Sequence, residues 1–197
     1  MKVKYTFIIL FLFLFSANAQ FKKYDKTLKL MGSRFDISVV ADSPGNGEKY
    51  IEIAISEIER IESIISSWDK KSETSLINQN AGIQPVKVSR ELFDLINRSL
   101  QISKITEGAF DISYASMDRI WNFDGSMTEM PSAEAIKKSV EKVGYENIIL
   151  NANDQTVFLK SKGMKIGFGA EGKGYAADKA KELLQKLGVK GGLVNAS

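Results

Sequence analysis

The chain has 197 residues, with no cysteine and no histidine. Those absences exclude disulfides, thiolate metal sites and a cysteine nucleophile, and leave Asp, Glu, Lys and Tyr for acid–base chemistry near neutral pH. The 27 basic and 24 acidic side chains nearly balance once Lys2 and Lys4 at the start are set apart, and no basic block makes an electrostatic case for nucleic acid.

The chain opens MKVKYTFIILFLFLFSANAQ. A basic start, an almost wholly apolar run from Tyr5 to Phe15 and the small-x-small site Ala17-Asn18-Ala19 predict a secretory signal over residues 1–19, cleaved after Ala19. The apolar run, about eleven residues, falls short of the roughly twenty needed to span a bilayer. Gln20 stands where a lipoprotein would carry a cysteine. The expectation is an exported, soluble, periplasmic or extracellular protein, neither membrane-spanning nor lipid-anchored once the signal is removed.

From Lys26 to Val40 (KTLKLMGSRFDISVV) two strand-like runs flank Met31-Gly32-Ser33, with Gly32 read as a bulge or a plain joint. Gly45-Asn46-Gly47 reads as a turn. Ile51, Ile55, Ile58, Ile61 and Ile65 then recur at helical spacing and predict an amphipathic helix over residues 48–66. Residues 66–82 (SSWDKKSETSLINQNAG) are polar and turn-rich. Ser89 is placed to cap a helix running to Ile105 and buried through Leu92, Phe93, Leu95, Ile96 and Leu100. An irregular aromatic stretch follows, then a helix opened by Ser132 and closed by Gly144. Two strands form a hairpin around Asn151-Ala152-Asn153-Asp154. A glycine-rich stretch then leads from a short strand at Met164–Ile166 into a helix ending at Leu187, and residues 192–196 begin another strand. Strands and helices do not alternate regularly, which favours an α+β fold with antiparallel sheet over a doubly wound parallel one. No internal repeat or linker divides residues 20–197, which read as one incomplete domain.

The glycine-rich stretch, IGFGAEGKGYAAD from Ile166, carries the sharpest signal. Gly167, Gly169 and Gly172 fit G-x-G-x-x-G, but the preceding strand is short and Val189 and Lys190 occupy the place of the ribose-binding acid. Gly167 to Lys173 fits G-x-x-x-x-G-K, but Gly174 stands where a phosphate loop needs a hydroxyl for magnesium. Lys173 in the first turn of a helix opposes the macrodipole, by a few tenths to about 1 kcal/mol, unless an anion lies over the helix start; the plain alternative is a solvated lysine pointing away. Trp68 is either core packing or a flat platform for an aromatic ring. Asp111, after Gly108-Ala109-Phe110, either caps a turn or accepts hydrogen bonds from a ligand.

In their order along the chain, MGSRFDISV at Met31, SSWDKKSETSLINQNAG at Ser66, TEGAFDISYASMDRIWNFDG at Thr106 and the segment from Met164 resemble the ApbE family of FAD:protein FMN transferases. The resemblance implies an ApbE-like α+β fold in which Met31, Trp68, Ala109, Phe110, Asp111 and Lys173 contact FAD, and Ala170 supplies an oxygen to Mg²⁺ at the pyrophosphate. It implies Mg²⁺-dependent cleavage of FAD, with FMN passed to a Thr or Ser hydroxyl of an exported or membrane redox protein and AMP released. Two departures stand out. Gly167-Phe168-Gly169 replaces the family's Asp-Leu-Gly-like start, and family members continue beyond the point corresponding to Ser197 into segments that complete the metal site. Ala170 alone cannot hold a hard cation that takes about six oxygens. The expectation for this polypeptide is therefore an amino-terminal portion lacking the carboxy-terminal part, with an unpaired last strand and little activity by itself. The alternative is a truncated, non-catalytic flavin-binding remnant.

Overall fold

The computed structural model describes residues 20–196. The expected signal, residues 1–19, lies outside them. The described residues divide into two compact units: residues 20–58 together with 176–196, and Glu59–Tyr175.

In the first unit, β1 (Lys22–Leu30) and β2 (Ser33–Ala41) form an antiparallel hairpin, and β6 (Gly192–Ala196) pairs antiparallel with β2, giving the order β1-β2-β6. The pairing runs from Lys22↔Ala41 to Leu30↔Ser33 without interruption, so Met31-Gly32 is a two-residue turn and not a bulge. Both turn residues have left-handed backbone, with φ of 49° at Met31 and 75° at Gly32. Strict alternation buries Phe35, Ile37, Val39 and Ala41 on one face of β2. On the other face Asp25 accepts from Ser38 and Asp36 from Thr27, cross-strand pairs in register. The Thr27 hydroxyl, then the Arg34 guanidinium, hold the Asp36 carboxyl below its usual range. The last strand is paired after all: β6 takes its hydrogen bonds from β2 along Phe35–Val39, because Leu193 and Val194 continue the strand pattern in register.

Helix α1 (Pro44–Ile65) starts four residues before the predicted start at residue 48. Gly45-Asn46-Gly47 is its first turn and not a loop. Pro44 takes the first helical position, Ser43 accepts from the Asn46 and Gly47 N–H groups, and a Cβ at Gly47 would overlap the Tyr24 ring. The glycine there answers a close approach to β1.

In the second unit β3 (Val86–Lys87), β5 (Thr156–Leu159) and β4 (Ile148–Asn151) form an antiparallel sheet in the order β3-β5-β4, with the expected hairpin between β4 and β5. Helix α2 (Glu73–Gln79) lies inside the stretch read as turns. Ser72 caps it by accepting from Ser75 N–H at 2.9 Å, and Thr74, Ser75 and Ile77 are buried. Helix α3 (Arg90–Ile105) has the expected Ser89 cap and buries Leu92, Phe93, Leu95 and Ile96, with Leu100 half-buried. Helix α4 (Ala133–Ser139) opens on Ser132 as expected but stops well before Gly144, which instead precedes a 3-10 turn at Tyr145–Asn147. Helix α5 (Gly172–Lys186) follows the glycine-rich stretch, and Gly188, with φ 79°, terminates it through a Val189 N–H bond to the Leu184 carbonyl. The α+β class with antiparallel sheets is thus observed.

Candidate functional site

The site grows out of the end of α3. Glu107 (φ 51°) and Gly108 (φ 82°) are both left-handed, so the helix ends sharply, with Gly108 N–H bonded to the Ser103 carbonyl. The chain passes through Ala109 and Phe110, becomes extended at Asp111, and coils into a 3-10 turn at Ile112–Ser116. Asp111 makes that path. One carboxylate oxygen accepts the Ser113 N–H at 2.7 Å and the other the Tyr145 N–H at 2.9 Å. Ser113 in turn accepts the Gly144 N–H at 2.8 Å. Asp111 therefore caps the turn, the structural one of the two roles its sequence position allowed, and shapes the first wall of the site by doing so.

The second wall is the glycine-rich stretch. Met164–Ile166 is not a ladder strand, contrary to expectation, because side chains satisfy its backbone in place of a neighbouring strand. The Asn78 amide accepts the Ile166 N–H at 2.8 Å and donates to the Ile166 carbonyl at 3.0 Å. The Ser116 hydroxyl does the same for Lys165, at 2.7 and 2.8 Å. Gly167 N–H then bonds the Ile112 carbonyl at 2.9 Å, tying the two walls together.

The paired glycines have a specific cause. Tyr114 lies across them, its hydroxyl accepting the Gly169 N–H at 3.2 Å, and a Cβ on Gly169 would overlap that hydroxyl. A Cβ on Gly167 would press on Ala115 at 3.1 Å. The G-x-G spacing accommodates a tyrosine of this chain; with no strand leading into it, the dinucleotide-fingerprint reading falls.

Between the walls is a cavity of about 500 Å³, bounded by residues 109–112 with Tyr114 on one side and residues 169–171 on the other. That volume lies within the roughly 300–1,000 Å³ of small-molecule sites. Phe110 and Ile112 give it apolar surface. Its ionisable side chains are Asp111, Tyr114 and Glu171. Glu171 is half-buried and accepts from Ser99, itself fully buried, at 2.5 Å. Burial pushes the Glu171 carboxyl above its ordinary range, opposed by the Ser99 hydrogen bond and the nearby Arg98 charge.

Of the seven residues assigned by resemblance, Ala109, Phe110, Asp111 and Ala170 meet around this cavity. Lys173 is half-buried in the first turn of α5, three residues beyond Ala170, and makes contacts of its own. Trp68 is not core: 78% exposed, it stands in the turn between α1 and α2 with the Arg119 guanidinium 5.1 Å above its ring. Met31 occupies the β1–β2 turn and belongs to the first unit. Tyr114, Glu171 and Asn78 were not singled out from sequence. Tyr114 sat in view within the aromatic run and Glu171 within the glycine motif, whereas Asn78 has no local signal, since its partner lies 88 residues away.

For magnesium the donor set is thin. Ala170 offers a backbone carbonyl beside the cavity, and among the described residues no three Asp, Glu, His or Cys side chains converge on one point. The described residues do not form a magnesium centre by themselves.

Comparison with known proteins agrees on one family. The sequence model of the ApbE family matches residues 31–197. The FAD:protein FMN transferase of Klebsiella pneumoniae (strain 342) is 27% identical over 172 residues, covering 87% of this chain and 53% of that protein. That of Treponema pallidum (strain Nichols) is 25% identical over 183 residues, covering 90% and 51%. The chain spans about half the length of these relatives. Among solved structures, the ApbE protein of Thermotoga maritima superposes with a TM-score of 0.77 at 26% identity, covering 89% of this chain and 57% of that one. The flavin transferase ApbE of Vibrio cholerae has the same TM-score at 20% identity, a likeness of fold.

Proposed function

The chain belongs to the ApbE family, and on that footing we propose that its cavity binds FAD as the donor in transfer of FMN to a protein. The observation that carries this reading is the meeting of Ala109–Asp111 with Ala170 across one cavity, segments far apart in sequence that resemblance alone had assigned to the same ligand. Phe110 and Ile112 supply apolar surface for the dinucleotide. Asp111 contributes through the shape it imposes on residues 109–114, both its oxygens being bonded to backbone N–H groups.

The reaction proposed for the whole protein is a phosphoryl-type displacement. A Thr or Ser hydroxyl of an exported redox protein attacks the phosphorus of the FMN half of FAD. A phosphoester bond forms, the pyrophosphate P–O bond breaks, AMP leaves with its electron pair, and the hydroxyl proton passes to solvent. Such chemistry rests on positioning and on neutralising phosphate charge, which is the part Mg²⁺ plays when present. The leader-like residues 1–19 support an exported setting for this acceptor. No helix among the described residues is long and apolar enough to cross a membrane.

Titration with FAD, followed by the quenching of flavin fluorescence, tests the binding half: saturable quenching is expected, and its absence removes the reading. Incubation with FAD, Mg²⁺ and a candidate acceptor, with AMP and flavinylated protein measured by chromatography and mass, tests the transfer half. Saturable binding with FAD recovered intact under all these conditions would favour the flavin-binding remnant.

A further inference from the structure

Hydrogen-bond commitments single out one side chain of the cavity. Both oxygens of Asp111 are taken by the Ser113 and Tyr145 N–H groups. One oxygen of the Glu171 carboxyl is engaged by Ser99, which also lies 2.8 Å from the Leu95 carbonyl; the other oxygen of an ionised carboxylate accepts and has nothing to donate to a ligand oxygen. Tyr114 differs. Its oxygen accepts from Gly169 N–H, while its own O–H hydrogen finds no acceptor among the described residues. A phenol can both accept and donate, and half of that capacity is open toward the cavity it lines.

The hydroxyl is also held in place. Tyr114 N–H bonds the Asp111 carbonyl at 3.2 Å, the Tyr114 carbonyl accepts from Met117 N–H at 3.0 Å, and the missing Cβ of Gly169 provides the space the oxygen occupies. A donor fixed at both ends has lost its freedom before any ligand arrives, so a hydrogen bond to it costs little further ordering.

We propose that Tyr114 is a ligand-binding residue, whose O–H donates to an acceptor oxygen of the dinucleotide bound in the cavity. The inference rests on the FAD reading above and adds to it a residue that lies between the assigned segments. The acceptor oxygen can belong to the pyrophosphate or to a flavin ring carbonyl, and the two differ in strength and in which fragment retains them.

The test is Tyr114→Phe, which removes the hydroxyl and keeps the ring. Thermal melting should be nearly unchanged, since the side chain is 44% exposed. FAD affinity should fall about three- to tenfold if the acceptor is a neutral carbonyl, and more than tenfold if it is a phosphate. Riboflavin should share the loss in the first case and ADP in the second. Gly169→Ala supplies an independent check. Its Cβ displaces the tyrosine hydroxyl and should weaken FAD binding in the wild type. In the Tyr114→Phe background it should add little, because the nearest ring carbon is 3.5 Å away, an ordinary contact. Equal FAD affinity for wild type and a folded Tyr114→Phe protein overturns the inference and leaves the FAD reading standing. Failure of the wild type to bind FAD overturns both.

Discussion

The β1-β2-β6 sheet and the walls of the cavity solve the same problem in opposite ways. In the sheet, backbone groups pair with backbone groups in an unbroken register, and side chains only decorate the two faces. Around the cavity side chains take over part of that role: Asn78 and Ser116 bracket Ile166 and Lys165, Asp111 holds Ser113 and Tyr145, and Ser113 holds Gly144. A ladder is redundant, since one substituted side chain leaves its hydrogen bonds in place. A wall pinned by single side chains is not redundant, and each removal exposes backbone groups that have no second partner. The cavity thus gains an irregular shape that no ladder allows, and its sensitivity to mutation follows from the same cause.

The contrast is most exposed at Asp111. Asp111→Ala should destabilise the protein by about 3 kcal/mol, because two charge-assisted bonds to backbone N–H groups are lost together, and should weaken FAD binding by deforming residues 109–114. Urea denaturation and FAD titration of the same samples measure both, and Asp111→Asn, which keeps one acceptor oxygen, should fall between. Asn78→Leu comes next, at about 2 kcal/mol, since a side chain of similar size leaves the Ile166 N–H and carbonyl without partners. An unchanged urea midpoint for that variant would mean the bracket is incidental.

On the sheet side the effects should be small. Met31 sits at φ 49°, a conformation asparagine adopts more easily, so Met31→Asn should raise stability by about 0.5 kcal/mol. A stability gain accompanied by lower FAD affinity would assign Met31 a role in binding; a gain with unchanged affinity would leave it a turn residue. Thr27→Ala removes a partner of Asp36 on the exposed face but no ladder bond, and its melting temperature should stay within about 2 °C of wild type. A larger drop would erase the distinction between the two regions.

The same distinction explains what could be read in advance. The two strand-like runs around Gly32, the isoleucine spacing of α1 and the Ser89 cap of α3 are periodic or local signals, and all three led to the right elements. The misreadings were local as well. Gly45 and Gly47 outweighed the Ser43 cap and Pro44, and α2 was hidden because seven residues are too few to show a period. Asp111 stood out locally as a turn cap or ligand acceptor, whereas Ala109, Phe110 and Ala170 were reached only through the likeness of whole motifs, and nothing in the spacing brings the two segments together. The Asn78–Ile166 bracket has neither period nor proximity in sequence, and only the folded chain reveals it. Tyr114 gives the glycine pair its reason, and that reason lies more than fifty residues from the motif it explains.

The most direct test of the central claim is FAD titration of Ala170→Trp. Ala170 is exposed on the cavity wall, so an indole there fills the cavity without disturbing a core. If FAD occupies this cavity, the variant is folded, by melting and circular dichroism, and no longer quenches flavin fluorescence at FAD concentrations saturating the wild type. A folded Ala170→Trp protein that binds FAD as tightly as the wild type would show that FAD does not occupy this cavity.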